Sequence, residues 1–519
     1  MNKNKAFLNI ITSTIFKLLL LIISILLRRY LLKYLGKEAV GLFSLYTSIL
    51  GFLAIAELGV GAAITFSMYK PLVEKKYDEI SGLYFLYKKI YNIIFLIFLI
   101  VGLTLTYFIP MIAKENSGTF NMHITYILFL LSTITTYLYA HKTSFINANL
   151  DNYITVTIRS IGVIIESIIQ ILVLIFIAKK DIRLGFTLFM LVILISNIFQ
   201  GLFTNLIFNK KYRNKINNNK ELNNEIKKEV TNKTKAMFSH KIGGLLVNTT
   251  DSLIISSFIS VTVLGVYTNY ITLSTGLVGI LSLVFTSITS VIGHSYAKNT
   301  KEVFYRQFNY IYIINYILGF IFFLGFYAVI DDTILILFSK DNSLIMDGKI
   351  VLVITLNYFI QFMRRAVSTF KDSSGLFYND RYKPLFEGVT NLVLSLILVR
   401  VWGVVGVLVA TIITNIFITH IVEPYVLYKH GFNKNPKGYY LYNYIGIGLF
   451  VIAIIIFNMI PLKDFNNIYI NFLVRGFLSV GISLLLLTTI YIFNRRFRES
   501  FNYLVKTSFN FISGKIKRK

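Results

Sequence analysis

The chain alternates between long apolar stretches and short polar connections. An apolar stretch of about twenty residues is long enough to cross the hydrocarbon core of a bilayer as a helix. By that criterion the sequence predicts about fourteen spans, at roughly 8–28, 39–69, 83–110, 122–147, 153–178, 184–208, 237–260, 263–296, 305–330, 345–370, 381–401, 403–428, 438–460 and 470–494. We expect the first apolar run, 10–27, to stay attached as a span, because no small-residue cleavage signal follows it. The predicted fold class is an all-α integral membrane protein.

The longest hydrophilic connection is 209–235, which is rich in Asn and Lys and has no apolar core. It predicts four regions: an N-terminal six-helix bundle (1–208), a cytoplasmic linker (209–235), a C-terminal six-helix bundle (236–430), and two further transmembrane helices with a basic cytoplasmic tail (431–519). Spans eleven and twelve are divided at 401–403, and a different division around Arg400–Gly403 is the alternative. No loop is large enough for a soluble catalytic domain, and the phosphate-binding pattern G-x-x-x-x-G-K-[ST] does not occur. We therefore expect no enzymatic activity.

Two short patterns recur across the linker. GLFSLY at Gly41–Tyr46 matches GVYTNY at Gly265–Tyr270, at an offset of 224 residues, and Asp151-Asn-Tyr matches Asp380-Arg-Tyr at an offset of 229. Because six is an even number, two six-span repeats would cross the membrane in the same sense. Parallel repeats of this kind hold a substrate between them and work by alternating access. The alternative is a static helical scaffold with accidental similarity.

Composition agrees with a membrane protein and narrows its partners. Hydrophobic residues make up 55% of the chain and charged residues 15%, against roughly a quarter charged in soluble domains. The 52 Lys and Arg exceed the 24 Asp and Glu by 28, but they gather between apolar runs, as cytoplasmic anchors do, so we expect no nucleic-acid partner. Their distribution predicts that both termini are cytoplasmic. Cysteine is absent and the histidines lack a metal-ligand spacing, so neither a metal nor another cofactor is expected.

Ionisable residues within spans are costly and mark candidate functional sites. In span seven a 100° helical step places Lys241, Asn248 and Asp251 on one stripe. Lys241 and Asp251 lie about 15 Å apart along a helix and cannot pair directly. They either line a cavity, or Lys241 reaches the cytoplasmic surface while Asp251 bonds to a neighbouring helix.

Three other spans carry similar candidates. Glu57 lies among small residues in AIAELGVGAA, where it is a proton or sodium site or the partner of a basic residue such as Arg159. Arg159, Glu166 and Gln170 share one face of span five, where Arg159 either binds a phosphate or neutralises Glu166. Arg364, at the end of span ten, is either an anion site or a cytoplasmic anchor. Without a nucleotide site, a cation-driven cycle using Glu57, Glu166 and Asp251 is our mechanistic hypothesis.

Several segments together resemble the Wzx-like polysaccharide-unit flippases of the multidrug/oligosaccharidyl-lipid/polysaccharide exporter superfamily. They are RRYLLKYLGKEAVGLFSLYTSILGFLAIAELGVGAAITFSMYKPL near the start, SHKIGGLLVNTTDSLIIS with LGVYTNY in the middle, and RYKPLFEGVTNLVLSLILV with WGVVGVLVATIITN later. Each is loose by itself, and their order is the specific feature. They extend from span one to span twelve.

The resemblance implies a flippase that moves an undecaprenyl-diphosphate-linked oligosaccharide to the outer leaflet of a bacterial cytoplasmic membrane, for capsule, O-antigen or a similar polymer. It implies a cationic cavity in which basic side chains attract the diphosphate and neutral ones contact sugars. Carried onto this chain, the basic residues are Arg28, Arg159, Lys241 and Arg364, and the neutral ones Asn248, Asn269 and Tyr270.

The expected partners are the lipid bilayer and, as candidates, a polysaccharide polymerase and glycosyltransferases, with the flippase itself a monomer. The rivals are a cation-coupled multidrug exporter of the same superfamily and a non-transporting membrane scaffold for polysaccharide synthesis.

Overall fold

The computed structural model describes residues 3–57, 60–114, 118–216, 249–376, 379–462 and 465–512. Within these ranges the regular structure is entirely helical. The helices are α1 (Lys3–Leu53), α2 (Val60–Glu74), α3 (Tyr77–Ile112), α4 (Met122–Ala148), α5 (Asn152–Val173), α6 (Ile182–Tyr212), α7 (Val261–Lys298), α8 (Lys301–Leu337), α9 (Gly348–Met363), α10 (Arg365–Ser373), α11 (Lys383–Thr414), α12 (His420–Val426), α13 (Lys437–Met459), α14 (Ile468–Phe493) and α15 (Arg495–Ile512).

Two of these helices contain a break and correspond to more than one span. Helix α1 has 51 residues, about 76 Å of helix, against a hydrocarbon core of about 30 Å. Its backbone leaves helical geometry at Gly36 (φ 79°), and that of α11 does so at Gly403 (φ 58°). Glycine adopts positive φ at little cost, so both breaks fall where the chain permits a turn. The second break lies at the predicted boundary between spans eleven and twelve.

Span two is interrupted within the membrane-spanning sequence. Helix α1 ends at Leu53, a 3₁₀ turn covers Ala54–Glu57, and α2 begins at Val60. Glu57 therefore occupies a helix interruption, where backbone groups leave the regular hydrogen-bond ladder.

The described residues contain eleven helical segments long and apolar enough to cross a membrane. Two of them, 11–53 and 383–432, contain the breaks at Gly36 and Gly403. Of predicted span seven, the structure describes only a helix over 249–258. The predicted all-α, multi-span membrane fold is confirmed.

The first compact unit comprises Met1–Thr268, Leu337–Ser339 and Pro384–Leu392. Aromatic rings join α3, α4 and α6 in its interior, where Tyr84 stacks on Phe208 at 5.4 Å and Phe145 meets Phe208 edge-on at 5.5 Å. The hydroxyl of Tyr46 on α1 bonds to Thr125 on α4 at 3.0 Å. Aromatic packing thus holds the α3, α4 and α6 ends against one another.

The second compact unit comprises Asn269–Ile336, Lys340–Lys383 and Val393–Lys519. Its core includes Phe320, Phe359 and Phe450, and the last two stack at 3.7 Å between α9 and α13. Helix α15 contributes Phe497 to that core and packs Phe501 beside it. The sequence predicts only a basic tail after span fourteen, because the apolar face of α15 is too narrow to read as a span. These units are defined by compactness, and the division into two six-helix bundles stays a prediction.

Candidate functional site

Glu57 accepts a hydrogen bond from a tyrosine on a neighbouring helix. The Tyr91 hydroxyl of α3 lies 2.6 Å from Glu57 Oε1, and the ring of Tyr137 on α4 stacks on that of Tyr91 at 5.9 Å. Tyr87 packs edge-on against Tyr91 at 4.9 Å and donates to Ser144 at 3.1 Å. Phenol hydroxyls can donate to a charged carboxylate, or rotate and accept when it is protonated.

None of the ion pairs found among the described residues includes Glu57. Its predicted alternative as the partner of Arg159 is not what the structure shows. An ionisable group at a membrane centre costs about 2.5–3.5 kcal/mol on insertion scales, so a carboxylate retained without a basic partner suggests a functional role.

The three polar residues of span five occupy different environments along α5. Gln170 is buried and donates to the Phe189 carbonyl of α6 at 3.2 Å, and Glu166 is half-buried. Arg159 is exposed and lies near Tyr139. Since Arg159 forms no ion pair with Glu166 in the described part of the chain, neutralisation of Glu166 by Arg159 is not supported. Its phosphate-binding role stays a prediction.

Arg28 lies where the middle of α1 meets the start of α7 in the first unit. Its guanidinium donates to Thr268 Oγ1 at 2.5 Å, and Ser44 Oγ lies 3.3 Å from the same hydroxyl. Arg28 is thus held beside a polar contact between these two helices. Binding of a substrate phosphate by Arg28 stays a prediction.

The same contact brings the two copies of the repeated motif together. A Cβ atom at Gly41 would lie 2.0 Å from the Val261 carbonyl oxygen, and one at Gly265 would lie 2.0 Å from the Lys37 carbonyl oxygen. Positions 37 and 261, like 41 and 265, differ by the motif offset of 224. Each repeat therefore presents the same glycine to the same site on the other, which is the mark of a local two-fold relation.

Span seven is described only in part, and Lys241 and Asn248 lie outside the described residues. Asp251 is described, and its Oδ1 is buried without a hydrogen-bond partner among the described residues. A buried carboxylate oxygen that lacks a partner is costly unless it is protonated or binds a ligand. Asp251 thus keeps its place among the candidate cation sites as a prediction.

In the second unit Arg364 belongs to a buried ion cluster. Glu423 Oε1 lies 3.0 Å from Arg364 Nη1, 3.0 Å from Lys383 Nζ and 3.9 Å from Lys371 Nζ. Lys371 also bonds to Asp380, the repeated acid of the D-x-Y motif. The structure thus adds a third possibility for Arg364, a structural ion pair, and leaves its anion-binding role a prediction.

Asn269 and Tyr270 are both fully buried. The Tyr270 hydroxyl donates to Asp331 Oδ1 at 2.7 Å and accepts from the Met346 backbone N–H at 3.0 Å. These bonds fix Tyr270 in the interior of the second unit. Sugar contacts by Asn269 and Tyr270 require a conformation in which they are exposed, and they stay predictions.

A second ion pair, which was not predicted from the sequence, lies in the second unit. Arg475 of α14 donates to both carboxylate oxygens of Asp332 on α8, each at 3.0 Å. The relevant pattern was a single Arg in the otherwise apolar span fourteen, and a basic residue there needs an acidic partner. Asp332 stands just beyond the predicted end of span nine, which is why the pairing was overlooked.

No family model and no curated protein matches the sequence. Solved structures do match, among them several of membrane transporters. The chain is similar to a structure described as lipid II flippase MurJ in an inward closed conformation, with 18% identity and a TM-score of 0.64, covering 93% of this chain and 99% of that one.

It is also similar to an inward-facing MATE family multidrug transporter of the MOP superfamily, with 14% identity, a TM-score of 0.55 and coverage of 83% and 95%. A structure of the MATE multidrug transporter DinF-BH matches at 15% identity, with a TM-score of 0.52 and coverage of 84% and 97%. The chain therefore has the fold that these lipid flippases and multidrug transporters share.

Proposed function

We propose that this protein is a flippase that moves an undecaprenyl-diphosphate-linked oligosaccharide repeat unit across a bacterial cytoplasmic membrane, for assembly of a surface polysaccharide. The observation that most supports this proposal is the structural similarity to the lipid II flippase, which covers 93% of this chain, against 83% for the MATE transporter. More of this chain therefore aligns with the lipid flippase than with the MATE transporter.

The basic residues support an anionic cargo. Arg28 and Arg159 lie within apolar sequence, and no ion pair in the described part of the chain includes Arg159. A diphosphate needs positively charged surroundings on its way across the hydrocarbon core, whereas its polyprenyl tail needs none. A multidrug exporter is the second candidate, favoured by the MATE likeness and by the buried carboxylates.

Depletion of the protein tests the proposal directly. We expect a lipid-linked oligosaccharide to accumulate on the cytoplasmic leaflet while surface polymer falls, because synthesis continues and translocation stops. Lipid extraction with mass spectrometry identifies the intermediate, and its resistance to an external glycosidase in intact cells locates it. Accumulation on the outer leaflet would exclude translocation as the missing step, and unchanged polymer with increased sensitivity to cationic dyes would favour the drug exporter.

We further propose that Glu57 binds the coupling cation, a proton or sodium. Vesicles loaded with the intermediate extracted from depleted cells should translocate it faster under an imposed gradient of the coupling ion. Glu57→Gln should abolish that stimulation, because the amide neither releases a proton nor carries a charge, and the rate without a gradient should persist. The measurement is the translocation rate with and without each gradient.

Tyr91→Phe is the matched variant, since it removes one 2.6 Å hydrogen bond to the carboxylate and keeps the carboxylate itself. We expect its stimulation to be retained but to require a different pH or sodium concentration. Full stimulation in Glu57→Gln would move the coupling site to Glu166 or Asp251.

A further inference from the structure

A pair of lysines in the first unit lies at the predicted cytoplasmic end of α3 and α4. Lys142 of α4 bonds through Nζ to the amide oxygen of Asn205 on α6 and lies 5.4 Å from the centroid of the Phe208 ring. Lys88 of α3 is exposed and close enough for the two ammonium groups to repel each other. None of the described ion pairs involves Lys142 or Lys88. The two positive charges therefore lack a counter-ion within the described chain.

A buried histidine lies beside them. His141 is 3% exposed, and in the part of the chain that the structure describes neither ring nitrogen has a hydrogen-bond partner. Its ring packs against Tyr84 at 5.2 Å, and it lies within the field of both Lys142 and Lys88. A buried polar group left unsatisfied costs about 1–3 kcal/mol. The position thus combines uncompensated positive charge with an unused hydrogen-bonding group.

The second repeat shows how the same arrangement is neutralised. Lys371 stands 229 residues after Lys142, the offset that relates Asp380 to Asp151. Lys371 is buried, bonds to Asp380 and lies 3.9 Å from Glu423. Asp372 lies 3.5 Å from the same ammonium group, so Lys371 has three carboxylates close by.

Among the described residues, none of these three neutralising contacts has a counterpart at Lys142 in the first repeat. Lys142 bonds to the neutral side chain of Asn205 on a neighbouring helix, whereas Lys371 lies beside the charged side chain of Glu423. The repeated acid, Asp151, forms an ion pair with Lys211 at 3.1 Å and accepts a hydrogen bond from the Tyr212 hydroxyl at 2.5 Å. The second repeat therefore compensates its lysine with its own carboxylates, whereas no ion pair among the described residues compensates Lys142 in the first repeat.

We propose that Lys88, Lys142 and the Asn205 amide bind the phosphate group of an anionic membrane phospholipid. Basic pockets between transmembrane helices on the cytoplasmic side suit such head groups, and lysine is a common phosphate ligand. Asn205 accepts from Lys142 through its oxygen, so its NH₂ remains a donor. This site goes beyond the proposed function and does not depend on it.

The test exploits the difference between the repeats. Asn205→Glu gives Lys142 the carboxylate that Lys371 already has, so the fold should persist while the anion is displaced. We expect native mass spectrometry of the detergent-purified full chain to show bound phosphatidylglycerol, and Asn205→Glu and Lys142→Gln each to weaken it about tenfold to a hundredfold, the range for loss of a charged hydrogen bond. Elution as a single size-exclusion peak verifies folding.

Lys180→Gln is the matched control, because it removes an exposed lysine from the turn after span five and should leave binding unchanged. Undecaprenyl diphosphate and inorganic phosphate are the two further probes. Retention of undecaprenyl diphosphate alone would overturn a phospholipid site in favour of the cargo, and retention of inorganic phosphate without lipid would overturn a lipid site. If Asn205→Glu and the unaltered chain bound phosphatidylglycerol equally, the proposed site would be ruled out.

Discussion

Replacing Glu423 by Gln should destabilise the protein more than any other single change to its ion pairs. The Glu423 carboxylate holds Arg364 and Lys383 at 3.0 Å each and is 6% exposed. Removing one member of a buried ion cluster leaves the other charges uncompensated, at a cost of about 3–5 kcal/mol. We expect a strongly lowered temperature for loss of the single size-exclusion peak after heating in detergent.

An exposed ion pair in the same unit provides the comparison. Glu302 pairs with Lys434 at 2.9 Å, with Glu302 70% exposed, so Glu302→Gln should cost only about 0–1 kcal/mol. A double variant, Glu423→Gln with Lys383→Met, should recover part of the lost stability, because it removes one of the stranded charges. If Glu423→Gln and Glu302→Gln lowered the temperature equally, the cluster would contribute nothing beyond a surface pair.

The length of the apolar stretches was sufficient to predict an all-α fold with many membrane spans, because every helix that crosses a membrane must satisfy its own backbone within an apolar run of limited length. It could not locate the interruption of span two at Glu57, since a 3₁₀ turn has the same composition as the helix around it. Nor could it find α15, whose apolar face packs through Phe497 against the second unit.

Candidate site residues were harder to assign, because a charged residue within a span signals that a partner exists without naming it. Glu57 was predicted to be a proton or sodium site or the partner of a basic residue such as Arg159, and the hydrogen bond it accepts from Tyr91 was not foreseen. Tyrosines are abundant in this chain, so no spacing singles out Tyr91. Arg364 was weighed as an anion site, and its pairing with Glu423 spans 59 residues, a distance over which local sequence carries no pairing information.

The repeated glycines give the second large effect. Gly41→Ala or Gly265→Ala would place a methyl group 2.0 Å from a backbone carbonyl oxygen. Because the clash is with the backbone, no side-chain rotation can relieve it. Elsewhere in a helix the same change stabilises by about 0.5–1 kcal/mol. Gly279→Ala, on the same helix as Gly265 but with no atom within 4 Å of the added Cβ, is the control that should show this ordinary behaviour.

Cross-linking measures this contact directly, because the chain contains no cysteine of its own. Ser44 Oγ and Thr268 Oγ1 are 3.3 Å apart, so Ser44→Cys with Thr268→Cys should form a disulfide under mild oxidation. A protease site inserted into the 209–235 connection makes the bond visible on a gel. After cleavage, the two fragments migrate as one band while the disulfide holds them together and as two bands after reduction. Gly41→Ala should lower the cross-linked fraction severely, and Gly279→Ala should not.

The same disulfide tests whether this contact opens during transport. Under the proposed alternating access, the equivalent glycines must part for the cargo to leave on one side, because no sugar can pass between backbones in contact. The oxidised double-cysteine protein should therefore bind the intermediate extracted from depleted cells but fail to translocate it, and a reductant should restore the rate. Translocation at full rate with the disulfide intact would show that Gly41 and Gly265 are a fixed junction, and the moving elements would then have to be sought away from the repeated motif.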